Sequence, residues 1–216
     1  MIVAPSVIAA DFSDFQRAIK EVEKAGADLL HLDIMDGVFV PNITFGPMIV
    51  QAIDAISDLE LDAHLMIIKP EKYLKAFIDA GADWISFHAE ATDNPEKCIT
   101  VIKNHKKKVG LAISPPTPFQ NVTRYVEHLN FLLIMSVHPG FYGQKFMPEN
   151  VKKIEEAKNW IVKKNLSCLI QVDGGINGEN ACVLKRAGAD IIVAGAAVFR
   201  SDNYKKAIED LRCSKV

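Results

Sequence analysis

Histidine and aspartate recur in this sequence where short apolar runs end. His31 and Asp33 stand two apart in LLHLDIM, His64 falls in LDAHLM, and Asp173 closes LIQVD. Along an extended strand residues i and i+2 share a face, so His31 and Asp33 point one way and Leu32 the other. Two imidazoles and two carboxylates meeting at one point form a mixed nitrogen and oxygen donor set suited to a borderline divalent cation. The plain alternative is a hydrogen-bonded polar network. Two buried carboxylates with no nearby Lys or Arg would repel each other, and a cation relieves that. The metal reading is therefore preferred. His88, in FHAEA, and His138, in HPGFYGQ, also follow apolar runs, and His88 reads as support for a ligand. His105 and His128 lie on helical stretches and are expected to face solvent.

These side chains need a frame, and the frame shows as a repeat. AGAD occurs at 25–28, 80–83 and 187–190, each copy after an amphipathic segment and before a strand-like run. The copies are 55 and 107 residues apart, which gives a unit of about 27 residues and room for eight units. Each glycine suits the position just past a helix, where a left-handed backbone is free of Cβ strain. Eight such units make a compact (β/α)8 barrel. Strands are expected near 2–8, 29–33, 61–65, 84–88, 109–113, 131–137, 169–172 and 191–194, with helices such as 15–25 and 151–164 between them. No linker or shift in composition divides the chain, so 1–216 is read as one α/β barrel domain. His64 and Asp173, 109 residues or about four units apart, then stand at similar height across a barrel only wide enough for side chains to meet.

A second constellation is made of glycine. HPGFYGQ (138–144), DGG (173–175) and VAGAA (193–197) follow three successive strands. Turns of this kind let backbone N–H groups approach an anion, and late-strand loops are where this fold binds phosphate. Met35, Met66 and Met135 lie at strand ends, as core filler or as an apolar lining that keeps water from a carbanion. Ser6 is placed to touch a substrate hydroxyl.

Composition closes off other classes. The chain has 216 residues, is 49% hydrophobic, and carries 25 Lys and Arg against 27 Asp and Glu, a charge of −2. That supports a packed core and gives no field for nucleic acid. Lys106, Lys107 and Lys108 form the one basic run, read as a solvated helix end. No apolar stretch suits a membrane span, and MIVAPSVIAADF lacks the pattern of a signal peptide. Cys98, Cys168, Cys182 and Cys213 show no paired spacing, so four reduced thiols in a cytoplasmic protein are expected.

Read in order, APS, HLDIMDGVFVPNITFGP (31–47), DAHLMI (62–67), FHAEA (87–91), VGLAI (109–113), HPGFYGQKFMPE (138–149) and VDGGI (172–176) resemble the ribulose-phosphate 3-epimerase family over the whole chain. The resemblance implies a TIM barrel of the ribulose-phosphate-binding type. It implies metal-dependent epimerisation at C3 of D-ribulose 5-phosphate to D-xylulose 5-phosphate through a metal-stabilised enediolate, in the non-oxidative pentose phosphate pathway. By it, His31, Asp33, His64 and Asp173 are metal ligands, with Asp33 and Asp173 the acid–base pair. Ser6, His64, Gly140, Phe141, Tyr142, Gly143, Asp173, Gly174, Gly175, Gly195 and Ala196 are substrate contacts. One divalent ion is implied, Zn²⁺ or Fe²⁺ first and Mn²⁺ or Co²⁺ after them, with no organic cofactor. The partners expected are a sugar phosphate and further copies of the chain in a homo-oligomer, with no membrane and no nucleic acid.

Tyr142 stands where the family's loop commonly has glycine, and Ala196 where serine is usual. If the serine acts through its hydroxyl, one hydrogen bond of about 1 kcal/mol is lost. Ser114 and His138 also replace other polar residues. The nearest rival is an epimerase of allulose 6-phosphate. A decarboxylase or aldolase of the related barrels would carry a lysine where Asp33-Ile34-Met35-Asp36 has Met35. A silent sugar-phosphate binder would not need both aspartates.

Overall fold

In the computed structural model, which describes residues 1–213, eight strands run parallel. They are β1 (Ile2–Pro5), β2 (Leu29–Met35), β3 (Glu60–Met66), β4 (Trp84–His88), β5 (Lys108–Ile113), β6 (Phe131–Met135), β7 (Leu169–Asp173) and β8 (Ile191–Ala194). Their order is β1-β8-β7-β6-β5-β4-β3-β2. The two ends, β1 and β2, approach each other, and an isolated bridge joins Ser6 to His31. The sheet is thus a nearly closed barrel.

Both faces of the strands are covered, which is why they read as apolar runs rather than alternating ones; every residue of β2 is buried. Leu32, Ile34, Leu61, Leu65, Ile85 and Phe87 face outward into the helical shell. Leu29, Trp84, Phe131, Leu133 and Ile191 fill the lower barrel, with Trp84 and Phe131 in tilted contact at 5.2 Å. The shell contains α1 (Phe15–Lys24), α2 (Pro47–Asp54), α3 (Leu74–Asp79), α4 (Pro95–Asn104), α5 (Val151–Lys163), α6 (Ala181–Ala187), α7 (Ala196–Phe199) and α8 (Tyr204–Arg212). Between β5 and β6 the connection is a 3-10 stretch, Phe119–His128. Among the described residues no helix is long and apolar enough to cross a membrane.

The repeated AGAD has a repeated job at the amino ends of the strands. Gly26, Gly81 and Gly188 take φ of +94°, +106° and +111°, which ends each helix in the left-handed region. The aspartate two positions on then anchors the preceding strand. Asp28 accepts from the Val3 amide at 2.8 Å, Asp83 from Leu61 at 3.2 Å and Asp190 from Ile170 at 2.9 Å. Each also pairs with a cation: Arg212 at 2.9 Å, Lys107 at 2.9 Å and Lys158 at 3.0 Å.

The expectation of four reduced thiols is corrected. Cys182 on α6 and Cys213 at the end of α8 form a disulfide, with Cα atoms 5.4 Å apart. Thirty-one residues separate them, and only the packing of α8 against α6 brings them together, so no local spacing announces the pair. Cys98 and Cys168 are free and buried, and burial pushes both thiols up to about 12.

Candidate active site

Strand alternation delivers the four expected ligands to the carboxyl end of the barrel. His31 and Asp33 of β2, His64 of β3 and Asp173 of β7 each offer one donor atom, and these atoms all lie within 4.8 Å of one another. His31 Nε2 and His64 Nδ1 stand 3.5 and 3.6 Å from Asp33 Oδ1, and both stand 4.0 Å from Asp173 Oδ2. Both histidines are fully buried, and the Asp173 side chain is 16% exposed.

The cluster fits a divalent cation. His31 Nε2 and His64 Nδ1 are buried and have no hydrogen-bond partner, a costly arrangement for a protein interior. Donors held about 2.1 Å from a tetrahedral ion lie about 3.4 Å apart, close to the spacing seen here. Nitrogen and carboxylate oxygen are the donors Zn²⁺ and its neighbours accept.

Electrostatics separate the two carboxylates. Burial raises Asp33, but His31 and His64 beside it outweigh that and hold it well below the usual carboxylate range. Burial, and then the charge of Asp33, push Asp173 up to about 7. His31 is opposed by burial yet raised well above its ordinary value by Asp62 and Asp33, whereas burial takes His64 down to about 4.

Each histidine is backed from behind. His31 Nδ1 lies 2.7 Å from Asp62 Oδ2. His64 Nε2 lies 2.9 Å from His88 Nε2, and His88 Nδ1 lies 3.1 Å from Glu90. Glu90 in turn accepts from the Ser114 amide at 2.8 Å and from the Thr117 hydroxyl. So His88 backs His64, and Ser114 bonds to the Glu90 that holds His88. His138 is exposed and stays outside the cluster, and His105 and His128 face solvent as expected. Ser6 donates its hydroxyl to Asp33.

Above the cluster opens a cavity of about 350 Å³. Asp33 and Asp173 form its polar floor, with Ser6 beside them, and Met35, Met66 and Met135 give it apolar walls. The remaining wall is glycine-rich: Gly140, Phe141, Tyr142 and Gly143 after β6, Gly174 and Gly175 after β7, Gly195 and Ala196 after β8. Gly174 and Gly175 take φ of +126° and +64° in succession, and a Cβ on Gly175 would strike the Phe146 backbone. Only glycine fits that turn. Among the described residues no Lys or Arg lines the cavity; Arg200 donates to the Tyr142 hydroxyl at 3.5 Å, with its guanidinium 5.4 Å from the ring centre. His64 is fully buried and does not line the cavity; its place is in the four-residue cluster.

Two buried residues of this region escape a reading of strand ends: Asp62 and Gln171. Each lies two positions before an expected ligand, on the same strand face, and they share the 109-residue offset of His64 and Asp173. That offset was the available signal.

A nearly closed parallel barrel with chemistry-bearing side chains at its carboxyl end defines a (β/α)8-barrel enzyme. Solved barrels confirm the fold: 3-hexulose-6-phosphate synthase from Salmonella typhimurium superposes with a TM-score of 0.71 at 16% identity, covering 98% of this chain and 96% of that one. The 3-keto-L-gulonate-6-phosphate decarboxylase of Vibrio cholerae gives 0.69 at 13%, covering 98% and 95%. Residues 2–199 match the Ribulose-phosphate 3 epimerase family, and the chain belongs to it. Ribulose-phosphate 3-epimerase of Bacillus subtilis is 47% identical over 99% of both chains. The Synechocystis protein of that name is 45% identical, over 100% of this chain and 94% of its own.

Proposed function

We propose that this protein interconverts D-ribulose 5-phosphate and D-xylulose 5-phosphate by proton transfer at C3, with Asp33 and Asp173 as the two acid–base groups. One observation carries the reading: carboxylates from β2 and β7 enter the same small cavity from separate parts of its floor. C3 lies beside the carbonyl, so its hydrogen is acidic. One aspartate removes that proton from one face of the sugar, and the other delivers a proton to the opposite face, inverting the centre. Family membership and the names of the relatives select the substrate.

The other residues prepare that exchange. The Ser6 hydroxyl holds Asp33 in place. Amides of the Gly140–Gly143 loop, the Gly174-Gly175 turn and the Gly195-Ala196 step bind the phosphate, so no basic side chain is required and Ala196 acts through its N–H. Met35, Met66 and Met135 exclude water from the carbanion. His31, Asp33, His64 and Asp173 would hold a divalent ion, Zn²⁺ or Fe²⁺ by donor type, which supplies Lewis-acid stabilisation of negative charge on the sugar oxygens.

Isotope exchange tests the two-group assignment. Turnover in D₂O should place solvent deuterium at C3 of the epimerised product. Retention of the original C3 hydrogen would mean one shuttling base and would refute the pair.

A further inference from the structure

One step below Asp33, His64 and Asp173 lies a second polar layer on the same three strands, which shares His31 with the cluster. His31 stands two residues before Asp33 on β2, Asp62 two before His64 on β3, and Gln171 two before Asp173 on β7, and all three are fully buried. A single oxygen joins them. Asp62 Oδ2 lies 2.7 Å from His31 Nδ1 and accepts from Gln171 Nε2 at 2.5 Å, across the barrel. Asp62 Oδ1 and Gln171 Oε1 have no partner. A half-satisfied carboxylate here costs stability that an apolar residue of similar size would not, so packing gives no reason for it.

We propose that Asp62, held by Gln171, is a positioning residue for the metal centre, an inference that rests on the metal reading above. A carboxylate can only accept, so it fixes the His31 hydrogen on Nδ1 and turns the Nε2 lone pair toward Asp33, His64 and Asp173. Gln171 keeps that carboxylate from swinging away and braces β7 against β3 at the height where their ligands emerge. An asparagine at 62 would undo this. Its amide can present N–H to His31, which moves the imidazole hydrogen to Nε2, where the cation must bind. The two histidines are therefore oriented by different means: His31 by one central carboxylate, His64 through His88 and Glu90.

Metal affinity tests the assignment directly. Co²⁺ is titrated into chelator-treated full-length protein against a competing chelator, and the visible spectrum of the bound ion is recorded. Asp62→Asn should weaken binding about 10- to 100-fold and alter the spectrum, while the metal-free variant unfolds cooperatively. Gln171→Met, which leaves His31 and Asp62 in contact, should weaken it about fivefold, the equivalent of one hydrogen bond. If Asp62→Asn does not fold, Gln171→Met decides. Wild-type affinity and spectrum in a folded variant would overturn the inference while leaving the metal centre intact. Failure of the wild-type protein to bind Co²⁺ would overturn the metal reading itself.

Discussion

The two ends of the barrel use aspartate in opposite ways. At the amino end Asp28, Asp83 and Asp190 each meet a strand amide and a Lys or Arg. Their partners are built in, and the result is a pinned strand. At the carboxyl end Asp33 and Asp173 face two imidazoles across 3.5 to 4.0 Å, with His31 Nε2 and His64 Nδ1 unpartnered. The same side chain secures the fold where its charge is matched, and where the match is left open it offers donor atoms that a divalent cation could take.

Substitution should separate these roles sharply. Asp33→Asn and Asp173→Asn should each lower epimerisation by about a thousandfold or more, since an amide neither takes nor returns the proton. In chelator, urea unfolding should find the Asp173→Asn protein no less stable than wild type, because one of two mutually repelling buried carboxylates is gone. A loss of stability comparable to that at Asp190 would break the contrast. Next in size, His64→Ala should reduce metal content and kcat/KM together, by more than the 10- to 100-fold typical of outer partners. Metal analysis and kinetics on one preparation check this, and full occupancy at full rate would remove His64 from the centre.

At the other end, Asp190→Ala should cost about 2 kcal/mol, leaving the Ile170 amide and Lys158 without their partner. Its kcat/KM should stay within about twofold of wild type, because a bottom-face side chain touches no reacting atom. Smallest is the effect at Glu90, a carboxyl-end acid that is matched like those below. Burial raises its pKa, but His88, Thr117 and the Ser114 amide outweigh that and bring it from 4.5 down to about 2. A lowered folded-state pKa stabilises above the unfolded value and is lost as pH falls. Glu90→Gln should therefore be less stable than wild type near neutrality, with the difference shrinking as pH falls from 4.5 toward about 2. A gap that persists at the acid end would point to lost packing instead.

Much of the fold is legible in the sequence, though the anchoring role of the AGAD aspartates is not. The AGAD period located every strand, and β4 and β8 begin and end where the apolar runs do. β1 stops at Pro5, short of the expected 8, because the chain turns at Ser6 to reach Asp33 and enters the 3-10 turn Val7–Ala9. β6 ends at Met135 rather than 137 as Ser136 turns its hydroxyl to the Asp173 and Gly174 carbonyls. Asp33, His64 and Asp173 are visible because they stand toward the carboxyl ends of apolar runs, and His31 because it shares a strand face with Asp33. Asp62 and Gln171 lie inside such runs, where a polar residue carries no boundary signal. Glu90 joins the site only through His88, and Cys182 meets Cys213 only when two helices pack. Contacts of that kind belong to tertiary structure and leave no local pattern.

The seam between β1 and β2 has a consequence for assembly. Ladder pairing there is reduced to the Ser6–His31 bridge, with the Asp28–Val3 contacts at the far end. Bringing the first strand to the second closes the ring, and the same movement sets Ser6 against Asp33. Circularising the sheet and finishing its floor are one event. A chain with the ring open would hold β2, β3 and β7 side chains without the hydroxyl that secures Asp33.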